Sequence, residues 1–383
     1  MNLTLPIHDD LRRAIAPGAS VLLALSGGVD SALALAVLRA LGCDVLTVTF
    51  KNFCYGDDGA DSARSCCSLD AIDDARRLAH RFGARHWVHD VADLFGAQVI
   101  QPFIAEYRAA RTPNPCLACN SVVRFPELVR LADMHGCDLV ATGHYARVRP
   151  AGAGAELLRG VDPEKDQSYF LAQVPREVWP RVVFPLGWST KPQVRAAARD
   201  LGLAVAEKPE SQEICFVPDG DRSFLFDEGQ APAPGAIVDT AGEVRGRHRG
   251  LVHYTVGQRR GLGIAAAEPL YVVALDPVAN TVIVGGRDEL AVRSLRGDGF
   301  VCGVPVWPDG PGAVEGPCLA RIRHGHAGVP VAGWRLDGDR LHVDLAEPAY
   351  GVAPGQGLTL YDGDRVLGGG RLIAGEGPPA EGG

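Results

Sequence analysis

Ser26-Gly27-Gly28-Val29-Asp30-Ser31 has the makings of an anion cradle. Paired glycines let backbone approach a ligand closely, and two serines add hydroxyl donors. The apolar run before it and the Ala/Leu-rich run after it place the hexapeptide at a strand-to-helix turn, where free helix amides favour negative charge. It is not the Gly-Lys-Ser/Thr phosphate loop, because no lysine stands within it to reach terminal phosphates. Taken alone, the segment also reads as an ordinary tight turn. The second set of reactive groups is thiols. The chain has 10 cysteines and no secretory leader pattern. They therefore read as reduced thiols, metal ligands or catalysts rather than a disulfide framework. Cys116 and Cys119 form a Cys-x-x-Cys in a Pro/Asn-flanked stretch, and Cys215 stands between Ile214 and Phe216. Cys54, Cys66 and Cys67 precede a helical pattern and read as part of a loop. Cys43, Cys137, Cys302 and Cys318 are isolated and read as core packing.

These groups need a scaffold. Val21–Leu25 is a short apolar run that predicts a buried strand, followed by a helix over Ala32–Leu41 ended by Gly42. Asp44–Phe50 is β-branched, Leu69–Phe82 has helical spacing, and His86–Val91 and Asp138–Thr142 supply further strands. Strands alternating with helices predict a parallel, doubly wound α/β sheet whose ligand site lies at the C-terminal strand ends. Another helix is predicted from Ser189-Thr190-Lys191-Pro192 through Leu201. The region 203–235 is rich in turn residues. Beyond it come short strands at Ala236–Asp239, Leu270–Leu275, Thr281–Val284, Leu319–Ile322, Arg340–Leu345, Leu358–Tyr361 and Arg371–Ile373. That texture is all-β, sandwich or small barrel. The tail from Ala374 reads as loose.

The net charge is −8, so nucleic acid would have to be gripped by local patches. Ala241–Leu262 is one such patch, with Arg245, Arg247, Arg249, Arg259 and Arg260 against Glu243, and with His248 and His253 besides. No apolar run approaches the roughly 18–20 residues of a membrane span. The expected compartment is the cytosol.

Several segments carry a resemblance. SGGVDS after a first strand looks like the PP-loop of ATP pyrophosphatases, which cleave ATP between the α- and β-phosphates. Thr112-Pro113-Asn114-Pro115-Cys116-Leu117-Ala118-Cys119-Asn120, Ala141-Thr142-Gly143-His144-Tyr145-Ala146-Arg147 and Lys165–Leu171 (KDQSYFL) match one branch of them. So do Glu213-Ile214-Cys215-Phe216, His253–Gly263 (HYTVGQRRGLG) and Ala353-Pro354-Gly355-Gln356. In order, over nearly the whole chain, they resemble the bacterial tRNA-specific 2-thiouridylases. The resemblance implies an ATP-dependent sulfurtransferase that replaces the C2 oxygen of the wobble uridine, position 34 of tRNA. It also implies a sulfur-donor protein as partner, no membrane association and a monomer. The implied domains are a PP-loop catalytic domain over 1–217, a central tRNA-contacting domain over 218–290 and a C-terminal β-barrel over 291–383.

Such a replacement needs a better leaving group than oxygen and a nucleophilic sulfur. Adenylation supplies the first, a cysteine persulfide the second, and a second thiol then cleaves the S–S bond by exchange. By the resemblance Cys119 is the nucleophile and Cys215 carries the persulfide, with a transient disulfide between them. The chain departs from the family pattern at Cys116, where aspartate is usual. Cys116, Cys119 and Cys215 together would also suffice for a [4Fe–4S] cluster with one open iron, so both chemistries stay open at this point. The resemblance further implies that Ala24, Leu25, Ser26, Gly27, Gly28, Val29, Asp30 and Ser31 line the ATP phosphates, with Phe50 by the adenine and Gly143 beside the nucleotide. Mg²⁺ would accompany the pyrophosphate near Asp30. Asn114, Pro115 and Cys116 would receive a flipped-out base. His144, Lys165, Asp166, Gln167, Arg323, His324 and Gln356 would contact tRNA, although the family commonly has tyrosine at position 324. Two rival readings are a ligase adenylating a small metabolite and a non-catalytic RNA-binding or Fe–S protein. The first explains SGGVDS but not the two sulfur motifs or the basic stretch, and absence of ATP turnover with tRNA and a sulfur donor present would favour the second.

Overall fold

The computed structural model describes residues 4–53, 69–209, 214–217, 233–304 and 318–376. Cys54, Cys66 and Cys67 therefore lie outside the described residues, as does Glu213. In the first part of the chain the strands are β1 (Ser20–Ala24), β2 (Asp44–Lys51), β3 (Arg85–Asp90) and β4 (Leu139–Ala141). The β5–β6 hairpin (Ala146–Ala151, Gly154–Arg159) and the short β7 (Val182–Val183) follow. A five-stranded sheet has the order β3-β2-β1-β4-β7, parallel throughout. The order reverses between β1 and β4, and doubly wound sheets open their ligand crevice at such a reversal.

Alternation along β1 builds the two cores. Val21 and Leu23 point to the cluster under helices Val29–Ala40 and Lys191–Asp200, whereas Leu22 points to the cluster under helix Phe125–His135. All three are fully buried, and each such side chain contributes about 1.5–3 kcal/mol of burial. This two-sided burial makes the strand a continuous apolar run rather than an alternating one.

The middle of the chain forms a four-stranded sheet from β8 (Gly235–Asp239), β9 (Val244–His248), β10 (Tyr271–Asp276) and β11 (Thr281–Gly285), in the order β10-β11-β8-β9. Its core holds Ile237, Leu251, Tyr254, Val272 and Val282. The last part has β12 (Ala291–Cys302), β13 (Cys318–Arg321), β14 (Val329–Asp337), β15 (Arg340–Tyr350), β16 (Gly357–Asp362) and β17 (Arg365–Glu376). They run β12-β15-β14-β13-β16-β17, and β17 pairs back onto β12, so six strands close into a barrel. The β5–β6 hairpin extends this sheet beside β17 through the Arg365–Leu158 pairing.

The parallel sheet, the central β domain and the terminal barrel agree with the sequence expectation. Six strands, β5, β6, β7, β9, β12 and β14, carried no clear signal. Val244–His248 alternates arginine with glycine on an exposed edge, Val329–Asp337 is interrupted by Pro330 and Gly333, and β5 and β6 flank Gly152. The tail expectation is corrected at its start. Ala374, Gly375 and Glu376 pair with Arg296, Leu295 and Ser294 as the end of β17.

Candidate functional site

The glycine-rich turn leaves β1 at the reversal of strand order. Leu25 is held by its amide on Val48 O at 2.9 Å. The turn is closed internally: Ser26 N donates to Ser31 Oγ at 3.1 Å, Ser31 Oγ donates to Gly28 O at 3.1 Å, and the two serine hydroxyls lie 3.2 Å apart. Gly27 has φ +72°, and a Cβ there would fall 2.4 Å from Ala71 O. Gly28 caps the helix Val29–Ala40 with no side-chain hydrogen bond, which leaves its first amides to a ligand. Across the crevice Gly143 follows β4. A Cβ on it would lie 2.9 Å from Ser31 N, so the two turns meet backbone to backbone. Ala24 ends β1, and Phe50 is nearly buried at the end of β2 with its ring 5.8 Å from that of His89.

A lysine does reach this turn, from a distant segment. Lys191 Nζ lies 2.7 and 2.8 Å from the two carboxylate oxygens of Asp30, and Tyr145 donates its hydroxyl to the same carboxylate at 2.7 Å. The Lys191 side chain is buried because it starts a helix locked at its first turn. Thr190 N donates to Gln193 Oε1 at 2.8 Å, and Lys191 N donates to Asp162 Oδ2 at 2.8 Å. Sequence reasoning missed it, since only the fold brings residue 191 to residue 30.

His144 is anchored beside Gly143 by a 2.7 Å contact between its Nδ1 and Thr142 Oγ1, with the rings of Phe125 and Phe184 around it. Part of the residue stays accessible, yet burial pushes its pKa down to about 3, and the charge of Arg124 adds to that. The imidazole is therefore neutral at physiological pH and can exchange a hydrogen bond but carries no charge. In the unfolded chain it titrates near 6.5, so the unfolded state gains a proton that the folded state refuses. Its stabilising contribution is full above about pH 6.5 and is lost as pH falls from there towards 3, by up to about 1.4 kcal/mol per unit. Urea unfolding at pH 7.5 and 5.5 should show wild type losing about 1 kcal/mol more than His144→Gln over that interval. Equal losses in the two proteins would refute it.

Arg124 is a second residue that the sequence reading passed over. It ends a π-helical stretch, Cys119–Arg124, and its Nη1 donates to Asn120 Oδ1 at 3.0 Å. Asn120 in turn donates to Phe170 O at 3.0 Å. The signal was a lone cation five residues after Cys119, with nothing local to mark it. Single π-turns inserted in helices concentrate at functional sites.

Cys116 and Cys119 sit on the short helix Pro115–Ala118 and its π-helical continuation. Asn114 caps it, its Oδ1 accepting from Cys116 N at 3.2 Å. Cys119 is 8% exposed and belongs to the core cluster that also holds Leu22, against which Ile214 and Cys215 pack. Phe216 fixes the Cys215 segment by edge contacts with Phe95 (5.6 Å) and Phe103 (5.2 Å). These two rings flank the π-helical stretch Gly96–Ile100, which touches the Cys119 stretch. Both thiols thus border one cluster. The three-thiol cluster that the sequence allowed does not assemble: among the described residues no group of three His, Cys, Asp or Glu could hold a metal ion. Cys43, Cys137 and Cys318 are core residues as expected. Burial raises the Cys43 and Cys302 thiols and takes Cys318 up to about 12.

The residues proposed for tRNA separate into two groups. Arg323 and His324 are exposed in the turn after β13, and the His324 ring lies 4.5 Å from that of Phe170. Burial and the Arg321 charge hold His324 below the usual histidine pKa. Lys165 is half-buried nearby. Asp166, by contrast, is 3% exposed and cannot touch RNA. One oxygen accepts from Gly160 N and Ser168 N, and the other meets Arg321 at 2.9 Å and Arg159 at 3.6 Å. It welds the first domain to the barrel. Gln167 accepts from Tyr145 N at 2.9 Å, and Gln356 donates to Thr112 O at 2.8 Å. In the basic stretch Arg247, Arg249, Arg259 and Arg260 are exposed, whereas Arg245 is paired with Asp239 and Glu243. His248 is buried and bonds Asn280 O.

Residues 19–219 match the profile described as tRNA methyl transferase HUP domain. Residues 222–286 match the corresponding PRC-barrel domain, and 299–372 match the aminomethyltransferase beta-barrel domain. These descriptions speak of methyl transfer. Full-length relatives bear another name, tRNA-specific 2-thiouridylase MnmA. The protein of Geobacter metallireducens is 46% identical over 92% of this chain and 96% of its own, and that of Rhodospirillum rubrum is 44% identical over 93% and 97%. A solved 4-thiouridine synthetase–RNA complex with bound ATP aligns at 19% identity over 52% of this chain and 45% of its own, with a TM-score of 0.34. On the identity and coverage of the curated relatives, the chain belongs to the tRNA-specific 2-thiouridylase family.

Proposed function

We propose that the protein uses ATP to thiolate tRNA, at C2 of the wobble uridine, position 34, by adenylation followed by persulfide transfer. One observation carries the reading. The π-helical stretch that begins at Cys119 ends on Arg124 and Phe125 against His144, next to the Gly143 wall of the glycine-rich cradle. The segment that carries Cys119 and the wall of the cradle thus meet at His144, which supports a thiol working beside the phosphate site.

The reaction balances as follows. The uridine O2 attacks the α-phosphorus of ATP, pyrophosphate leaves, and the N3 proton passes to solvent. The terminal sulfur of a Cys215 persulfide attacks C2, and AMP departs with the C2–O bond. The Cys119 thiolate then attacks the Cys215 sulfur, which frees 2-thiouridine and leaves a Cys119–Cys215 disulfide. A dithiol reductant and a persulfide-bearing donor protein restore the starting state. Asn114, Pro115 and Cys116 form the rim where the base enters, and Cys116 replaces a carboxylate there. Ser26–Ser31 amides and hydroxyls hold the phosphates, Phe50 borders the adenine, and Lys165, Arg323 and His324 grip the anticodon arm. Mg²⁺ would arrive with the triphosphate. Asp30 is the carboxylate at the loop and is paired with Lys191, so it can share the ion once Lys191 turns to phosphate.

We assign the catalytic role to residues 1–217, tRNA contact to 218–290 and the barrel to 291–383, in a cytoplasmic monomer. The test is direct. Unmodified tRNA, ATP, a persulfide-bearing sulfur donor and a dithiol reductant are incubated with the protein and the nucleosides are read by mass spectrometry. One 2-thiouridine per AMP and per pyrophosphate is expected, at position 34 alone. AMP formation that ignores added tRNA would instead favour a small-metabolite ligase.

A further inference from the structure

Two sequence motifs still lack a task in the reaction: His253–Gly263 of the central domain and Ala353-Pro354-Gly355-Gln356 of the barrel. Both converge on Thr112, two residues before the cap of the cysteine-bearing helix. The Thr112 amide donates to Pro354 O at 2.8 Å, and its carbonyl accepts from Gln356 Nε2 at 2.8 Å. Its hydroxyl donates to Thr255 Oγ1 at 3.2 Å. All three polar groups of one residue are thus taken by two other domains. The seating is close: Gly355 has φ +94°, and a Cβ there would lie 3.0–3.1 Å from Thr112 backbone atoms. A Cβ on Gly357 would fall 2.7 Å from Leu117 Cδ1, on the cysteine helix itself.

The approach to Thr112 is held in the same way. Ala110 adopts φ +55°, a conformation that disfavours side chains, and it packs on the core of the central domain. Next to it Arg111 grips buried Glu106 through two 2.6 Å bonds. Glu106 also meets Arg371 of the barrel at 3.0 Å, and Arg371 pairs in turn with Asp298. Residues 111–114 have no helix or strand of their own. Their backbone path therefore depends on these ties, and a left-handed alanine persists only where its surroundings over-determine it.

We propose that Thr112 is a positioning residue through which the central domain and the barrel jointly fix the Cys116–Cys119 turn, with Gln356 as one of its ties. The proposal rests on the sulfur-transfer reading for its consequence in catalysis. Its geometry stands apart from that reading. Thiol exchange requires near-linear approach of one sulfur to another, and misplacement by about 1 Å can cost up to about 10²-fold.

The test uses full-length Gln356→Met, which keeps length and removes the donor, and Thr255→Val, which keeps shape and removes one hydroxyl. Alkylation of Cys119 by iodoacetamide, without ATP or tRNA, is followed by peptide mass spectrometry, with buried Cys137 as the fold control. Both variants should alkylate Cys119 about tenfold faster with Cys137 unchanged. kcat for thiolation should fall about tenfold, while the Kd for unmodified tRNA stays within about twofold. Unchanged Cys119 alkylation in both variants overturns the proposal. With a weakened tRNA Kd for Gln356→Met, that result would make Gln356 an RNA contact. Should wild type form no 2-thiouridine, the functional reading falls and the alkylation rates alone still decide the clamp.

Discussion

Cys119→Ser and Cys215→Ser each cut 2-thiouridine formation by about 10³-fold or more, because a serine hydroxyl neither carries sulfane sulfur nor cleaves a disulfide at neutral pH. The two variants differ in what they leave behind. Cys215→Ser accepts no persulfide, so no sulfur reaches the base. Cys119→Ser, loaded with one equivalent of persulfide and kept free of reductant, completes the attack on C2 and stalls. The tRNA then stays joined to Cys215 through a disulfide and should migrate with the protein on a non-reducing gel until dithiothreitol is added. Pyrophosphate release in the first turnover should survive in both. Normal thiolation by either variant, or an adduct on Cys215→Ser in place of Cys119→Ser, would sink the assignment. Cys116→Ala separates the thiols further: its thiol has no step in the balanced scheme, so thiolation should fall less than about tenfold.

Lys191→Met should lower ATP-dependent pyrophosphate release by about 10²–10³-fold, the usual scale for removing a preorganised charge from a site of developing negative charge. Nucleotide binding should weaken less. In the structure Lys191 is balanced by Asp30 and Tyr145. An incoming polyphosphate offers the ammonium a stronger partner at the same turn. Asp30→Asn should damage the step from the other side and also cost stability, since it strips a mostly buried ammonium of its counter-ion. The Asp30 side chain is one-third exposed, and solvent softens that penalty. The double variant is expected to be more stable than Asp30→Asn alone. Single-turnover pyrophosphate release with thermal melts of all three proteins checks both claims, and a Lys191→Met protein with wild-type release would remove the lysine from the reaction.

What the sequence could disclose follows the range of each interaction. The cradle was legible because Ser26–Ser31 make it from their own backbone and hydroxyls. The parallel sheet was legible because burial on both faces writes an apolar run. Lys191 was not, since its partner lies 161 positions away and a helix-start lysine normally reads as solvated. Asp166 shows the opposite failure. It stands in a polar Lys-Asp-Gln-Ser stretch that reads as surface, yet Arg321, itself buried, reaches it from 155 residues on and makes it core. Edge strands such as Val244–His248 stayed hidden because hydrogen bonds to a neighbour, not side-chain pattern, define them. The resemblance named the thiols. Only the aromatic seat of Phe216 on Phe95 and Phe103 gives a physical account of how residues so far apart in sequence share one neighbourhood.

The hairpin Ala146–Arg159 departs from the first domain to extend the barrel's sheet, and it does so with charge. Glu156 meets Arg365, and Arg147 meets Asp364. Its root, Ala146, lies so close to Gly187 that even a methyl group there would collide with the Ala146 carbonyl. The modules of this chain are consequently poor candidates for exchange between homologues. A transplanted barrel would have to bring matching acids and bases along one strand edge, or leave the host's Arg147 without the carboxylate of Asp364 and Glu156 without the guanidinium of Arg365.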